Sequence, residues 1–276
     1  MIPFYKLSGS GNDFIAVIEP EEPLGHELIR RWCRRGIALG ADGLFTLRRS
    51  GGGAVMDYYN ADGFAADFCL NGTRCAARLA FHLGWAAESI GITTGAGDVV
   101  AWDCGPSAVA VEIPIPREAP APLAVAIAGE THDGFRLTVG VPHFVLPWRE
   151  GLADAPVWAL GRQIRNAETF QPSGTNVNFV RFGSPHRLQL RTYERGVEDE
   201  TLSCGSGVVA SAAVGLATGS LELPVEIETQ GGFVLRLSPG RAAGRWTLTG
   251  DARIVARGEL TPEAALEVPP PSWMRG

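Results

Sequence analysis

"DFCLNGTRCAARLAFHLG" (Asp67–Gly84) and "TLSCGSGVVASAAVGLATG" (Thr201–Gly219) decide how the chain folds. Each opens on a cysteine with glycine close by and then runs into a helical pattern of small apolar residues. The spacing predicts helices from about Asn71 to Leu83 and from about Gly207 to Leu216. In the first, Ala, Leu and Phe occupy most faces; the second is almost all Val, Ala and Leu. A helix apolar on all sides must be enclosed by protein. Two such helices, with cysteines 204 − 69 = 135 residues apart, require two enclosures.

Working outward, the sequence repeats at nearly the same interval. "FYKLSGSGNDFIAV" from Phe4 lies against "FRLTVGVPHFVLPW" from Phe135, an offset of 135 − 4 = 131. Ile29 and Cys33 fall on Leu160 and Ile164 at the same offset. Asp42 pairs with Asn176, Phe45 with Phe179 and Tyr59 with Tyr193 at 134. Cys69 with Cys204, Thr94 with Thr229 and Gly97 with Gly232 follow at 135. The offset only grows, as loop insertions would make it. Each half reads as short Val/Ile/Phe-rich strands punctuated by Gly and Pro, one amphipathic helix, more strands and the apolar helix. The expected fold is α/β in the broad sense (α+β). It has two pseudo-symmetric halves, each a curved, mostly antiparallel, barrel-like sheet around a central apolar helix. Residues 1–118 form the N-terminal half, 119–132 a linker and 133–263 the C-terminal half, with 264–276 free to pack back on the first. The Pro-rich end is expected to be irregular.

Composition excludes several function classes. A 276-residue chain with 45% hydrophobic and 20% charged residues has the make-up of a globular protein with a full core. Its net charge of −6 gives no footprint for nucleic acid or an anionic membrane. "RRWCRRG" reads as a solvated helix face. The N-terminus lacks a signal-peptide apolar region, and no run approaches the ~18 apolar residues of a membrane span. The five cysteines include no CxxC pair and the five histidines do not cluster beside them, so neither metal nor a disulfide framework is expected. A reduced, cytoplasmic enzyme without cofactor follows as the expectation; a homodimer is left open.

A pseudo-twofold axis would bring matched residues to opposite walls of one cleft: Cys69 with Cys204, Asn71 with Ser206, Asn60 with Glu194, Asp42 with Asn176, Asn12 with His143. Helix N-termini offer free N–H donors and partial positive charge, which suit a carboxylate. Two such ends could hold the carboxylate of an amino acid while one thiolate removes its α-proton and the opposite thiol donates another. Near-attack distances of ~3–3.5 Å to the carbon would leave the sulfurs roughly 6–7 Å apart. A free thiol titrates near pH ~8.5, and a helix end contributes at most ~2 kcal/mol, about 1.5 pKa units. Closer partners are therefore required, and His143 and Glu194 are the candidates. A lone cysteine is ordinarily a small buried hydrophobe, and that reading holds for Cys33, Cys75 and Cys104. "SGSGND" is a turn or a phosphate loop, though it lacks the Walker lysine and the Rossmann spacing. Two other functions fit the same pattern: a racemase for a different amino acid, and a non-catalytic amino-acid-binding module.

The motifs "GSGNDF", "GADG", "YNADG", "CLNGTRC", "GVPH", "TNVNFV" and "YERGVEDETLSCGSG", in that order, resemble those of the diaminopimelate epimerases over nearly the whole chain. The resemblance implies a cofactor-free two-base epimerase interconverting LL- and meso-diaminopimelate in lysine and cell-wall precursor synthesis. By motif, Cys69 and Cys204 resemble the acid/base pair. Leu70 and Asn71, with Gly205 and Ser206, resemble the carboxylate cradle. Asn12, Asn60, Asn176 and Arg195 resemble the contacts to the rest of the substrate, Arg195 suiting the distal carboxylate. His143 and Glu194 resemble the groups that tune the thiols, Glu194 also meeting the substrate ammonium. The chain departs from the family pattern at Leu70, where a glycine is usual, at Val141, often Asn, and at Phe64, often small and polar.

Overall fold

"FIAVI" (Phe14–Ile18) puts apolar side chains on both faces of its strand, and a computed structural model shows why. The model describes residues 1–268, so 269–276, including most of the Pro-rich end and of the tail segment expected on the first half, lie outside the described residues. Phe14 and Ala16 face a central core, whereas Ile15 and Val17 face a second cluster outside the sheet. The sheet carries helices on both sides.

The first half consists of β1 (Ile2–Gly9), β2 (Asn12–Ile18), α1 (His26–Trp32), β3 (Gly43–Ser50), β4 (Gly53–Asn60), β5 (Ala65–Ala66), α2 (Leu70–His82), β6 (Ser89–Thr94), β7 (Gly97–Asp103), β8 (Ala108–Pro114) and β9 (Ala121–Ile127). The second repeats it: β10 (Glu130–Val139), β11 (Val141–Pro147), α3 (Val157–Arg165), β12 (Asn176–Ser184), β13 (Arg187–Glu194), β14 (Asp199–Thr201), α4 (Gly205–Ala217), β15 (Val225–Thr229), β16 (Val234–Pro239), β17 (Arg245–Asp251) and β18 (Arg253–Leu260). In each half the ladder is antiparallel except at two joints, β2 with β3 and β4 with β6, mirrored by β11 with β12 and β13 with β15.

The halves close one another. β17 pairs with β8, and its continuation β18 returns to β1, completing the first ring. Symmetrically, β8 pairs with β17 and its continuation β9 lies on β10, completing the second. Two departures from expectation follow. Residues 121–127, inside the expected linker, form strand β9, and residues 253–260, expected in the second half, form a strand on β1 of the first. A closed ring removes exposed strand edges, and exchanging the last strand lets each half close the other.

Helix α2 fills the first ring and α4 the second. In α4 nearly every residue from Gly205 to Gly215 is buried, and both helices share one core cluster that includes Leu79, Ala80, Val208, Val209 and Val214. Each buried Val or Leu contributes about 1.5–3 kcal/mol. Helices α1 and α3 cover the outer faces through Ile29 and Trp32, and through Leu160 and Ile164.

Register corrects three of the expected matches. Phe14 lies opposite Gly43, and His143 opposite Asn176, in the equivalent parallel pairs. Asn176 therefore matches Gly43 rather than Asp42, and His143 matches Phe14 rather than Asn12. Phe45 faces the central core while Phe179 faces the outer cluster, so they are not equivalents; Asn178 stands where Phe45 does. A one-residue slip turns a strand's side chains to the opposite face, and the shared phenylalanine concealed it.

Candidate active site

Cys69 and Cys204 are the N-caps of α2 and α4, two 13-residue helices at matched positions. Both have the extended backbone of an N-cap, with φ −137°, ψ 109° and φ −111°, ψ 110°. The Cys69 Sγ accepts from the Gly72 N–H at 3.4 Å, and the Cys204 Sγ lies 3.5 Å from the Ser206 Oγ. The helix ends meet: a Cβ on Gly205 would come within 3.0 Å of the Leu70 Cβ and 3.2 Å of the Asn71 Oδ1. Asn71 Nδ2 donates to the Ser203 carbonyl, 3.3 Å away. Two positive helix ends and two sulfurs thus converge on one region. Leu70 is the first helical residue and is not among the residues with positive φ, so its backbone carries no strain; it fills the space that Gly205 leaves.

The two thiols have different neighbours. Burial pushes both up. At Cys69 this is opposed by the Gly72 N–H and the Tyr58 hydroxyl; the charge of Glu194 adds to burial, and the positive charge of Arg74, the smallest of these effects, opposes it. At Cys204 the charge of Glu194 adds to burial, with the Ser206 hydroxyl and the Gly207 N–H opposing. Burial also raises Glu194, against the Thr201 hydroxyl, which donates to its Oε2 at 2.9 Å, and the Cys204 thiol. His143, 1% exposed, is held down to about 3 by burial and then by Arg195. It is a neutral imidazole. Its Nδ1 accepts from Asn178 Nδ2 at 3.1 Å, so the proton sits on Nε2, which is buried without a partner. Asn178 Oδ1 accepts from the Thr192 hydroxyl at 3.0 Å and lies under the first turn of α4, where a Cβ on Gly207 would be 2.4 Å from it.

The first half fills the equivalent space with Phe14, Phe45 and Tyr58, whose rings pack 6.1 and 6.3 Å apart. An aromatic cluster backs Cys69; a His–Asn–Thr network backs Cys204.

The remaining residues fall in two groups. Asn12 accepts from Asn71 Nδ2 and donates to Asp42 Oδ2 at 3.1 Å. Arg35 donates to Asp42 at 2.7 Å and also pairs with Asp13. Burial would raise the Asp13 carboxyl, but hydrogen bonds from Arg35 and Lys6 outweigh it and hold it at about 2. On the other wall, Asn176 Oδ1 accepts from the Arg195 N–H at 2.7 Å, and Arg195 Nη1 donates to the Ser173 carbonyl at 3.1 Å. Among the described residues no carboxylate pairs with Arg195. Asn60 sits at the exposed end of β4, matching Glu194 at the end of β13. Tyr58 and Arg74, both beside Cys69, escaped the sequence reading. Tyr58 shares the inward face of β4 with Met56, and Arg74 is the one charged residue on a buried face of α2. A cavity of about 790 Å³ lies elsewhere, between β9, β10 and β11 around Leu123, His132 and Trp148. Cys204 is 5% exposed, whereas Cys69 is only partly buried.

The family model for diaminopimelate epimerase matches residues 4–113 and 135–255, one stretch in each half. The chain belongs to the diaminopimelate epimerase family. A diaminopimelate epimerase of Aquifex aeolicus is 36% identical, covering 94% of this chain and 98% of that protein. Another, of Methanothrix thermoacetophila, is 38% identical over 95% and 97%. Among solved structures, a phenazine biosynthesis PhzF-family protein of Enterococcus faecalis has a TM-score of 0.70 at 15% identity, covering 94% of this chain and 99% of that one. A hydroxyproline epimerase of Agrobacterium vitis has 0.68 at 16%, covering 96% and 94%. At these identities the likeness is one of fold. The family's match in two stretches is the internal repeat seen again. No described helix is long and apolar enough to cross a membrane.

Proposed function

We propose that this protein interconverts LL- and meso-diaminopimelate by a two-base mechanism, with Cys69 and Cys204 on opposite faces of the α-carbon. The observation that carries the reading is the meeting of two cysteine-capped helix ends at Leu70 and Gly205. The substrate α-carboxylate binds the free N–H groups at Leu70–Asn71 and Gly205–Ser206. One sulfur, as thiolate, takes the α-proton; the electron pair passes into the carboxylate, where the helix ends stabilise the developing charge. The opposite thiol returns a proton to the other face, so the two sulfurs exchange protonation states and the centre is inverted. Glu194, beside Cys204, meets the substrate ammonium, and the unpaired guanidinium of Arg195 binds the distal carboxylate as a bidentate fork. Asn12, Asn60 and Asn176 bind the rest of the chain, and His143 supports its wall as a neutral donor. On this reading the protein serves lysine and cell-wall precursor synthesis, and we propose that it does so in the cytoplasm.

The test is turnover of Cys69→Ala and Cys204→Ala, with a panel of amino acids assayed for α-deuterium uptake from D2O. Each variant should lose inversion by about 10²–10⁴-fold or more. Wild-type exchange should be confined to diaminopimelate. Full turnover in either variant sinks the two-thiol chemistry, and exchange on a different amino acid alone moves the substrate.

A further inference from the structure

Arg74 is 0% exposed and sits on α2, one turn past Cys69. Among the described residues no carboxylate lies within ion-pair distance of it, and its Nη1 has no hydrogen-bond partner. A guanidinium stays charged at any working pH. A buried charge without a counter-charge is costly and is not kept for stability. Its neighbours indicate what it is kept for. Nη2 donates to Asn71 Oδ1 at 2.7 Å and to the Ser10 hydroxyl at 2.9 Å, and Nε reaches the Asp251 carbonyl at 3.4 Å. The Asp251 carboxylate is engaged elsewhere, by Arg253 and by the Ser10 N–H.

This arrangement has three consequences. With Asn71 Oδ1 taken by Arg74, the amide Nδ2 is directed to Asn12 and across to Ser203, at the mouth of the other helix. Ser10 is buried in the left-handed region, φ 52°, and the guanidinium bonds its hydroxyl; the "SGSGND" loop that carries Asn12 is thereby anchored. Room for the guanidinium depends on Gly250, where a Cβ would lie 3.1 Å from the Arg74 Nε. The matched position in the second half, 74 + 135 = 209, is Val209, so only one wall carries this charge.

We infer that Arg74 is a positioning residue of this active site: it fixes the Asn71 amide and the Ser10–Asn12 loop, and its permanent charge favours the anionic form of Cys69. The inference rests on the reading of Cys69 as an acid/base group. It makes the sulfurs unequal before substrate arrives: the charge of Glu194 bears on both, but only Cys69 has a cation to offset it. The titratable groups around Arg74 are Cys69, Cys75 and Asp251.

The experiment compares the wild type with Arg74→Met, which loses charge and donors, and Arg74→Lys, which keeps the charge without the fork. Alkylation of Cys69 by iodoacetamide is followed against pH by mass spectrometry of its peptide, without substrate, and kcat and KM are measured separately. In R74M the Cys69 profile should move to higher pH, making alkylation at neutral pH slower than in the wild type, and kcat should fall. R74K should recover the alkylation profile but keep a raised KM. A folded R74M with wild-type alkylation and kinetics overturns the inference, as does an R74K indistinguishable from R74M in alkylation. Should R74M not fold, Ser10→Ala serves: a raised KM with unchanged Cys69 alkylation supports the positioning role, and wild-type kinetics contradict it. Activity surviving in Cys69→Ala would instead defeat the acid/base reading, which the alkylation profile does not depend on.

Discussion

His143 shows how much a single side chain's surroundings decide. Its sequence context, "GVPH", suggested a titrating partner for a thiol. Burial among Phe144, Asn178 and the first turn of α4 instead keeps it neutral down to about 3. The unfolded chain takes up a proton near pH ~6.5, whereas the folded protein does so only near 3. The stability this group contributes is therefore fully present above ~6.5 and is lost as pH falls towards 3, at about 1.4 kcal/mol per pH unit. His143→Gln should remove this part of the acid sensitivity. Between pH 7.5 and pH 5 the wild type should lose about 2 kcal/mol more unfolding free energy than the variant, by urea titration at both pH values. Equal losses would mean that the imidazole protonates in the folded state. The candidate cysteines were legible as residue types at matched positions; Tyr58 and Arg74 were not. Their relevance depends on which way one strand and one helix face, and single residues in a sequence do not report that.

At the scale of elements, the helices were the most readable part of the chain. Their all-round apolar pattern and capping cysteines placed α2 and α4 to within about two residues at each end. Strand register was harder. The pairing of Phe45 with Phe179 looked sound by identity, yet the two rings face opposite sides of the sheet. Packing between the two helix mouths also has a consequence that neither motif discloses alone. Leu70, where the family pattern has glycine, is tolerated because Gly205 presents no Cβ to it. Gly205→Ala would press a methyl against the Leu70 Cβ at 3.0 Å and the Asn71 Oδ1 at 3.2 Å, pushing the two helix ends apart. We expect kcat/KM to fall about tenfold or more, since small misplacements at a reacting centre are costly. Leu70→Gly in the same chain should recover most of it. The double-mutant cycle on kcat/KM is the check, and strict additivity would show that the helix ends do not touch.

For the whole molecule, the repeat announced two halves but not how they are joined. The prolines at Pro116, Pro120 and Pro122 look like linker punctuation, and "APLAVAI" reads as a strand only once β10 is there to receive it. Likewise β18 belongs to the first ring through pairing with β1, a contact between the two ends of the described chain. Such pairings are set by the need to close both rings and leave little local signature. The exchange matters for chemistry, because Arg74 under the first helix end is held in part by Asp251, delivered by the second half's last strands. Each half thus supplies one sulfur and part of the other's support. The most direct measurement of that division of labour is the position of solvent deuterium at early conversion of LL-diaminopimelate in D2O. If opposed thiols act on one carbon, product carries deuterium at the inverted centre while recovered substrate carries none. Deuterium entering recovered substrate as fast as product would mean that one base serves both faces, and would contradict the account.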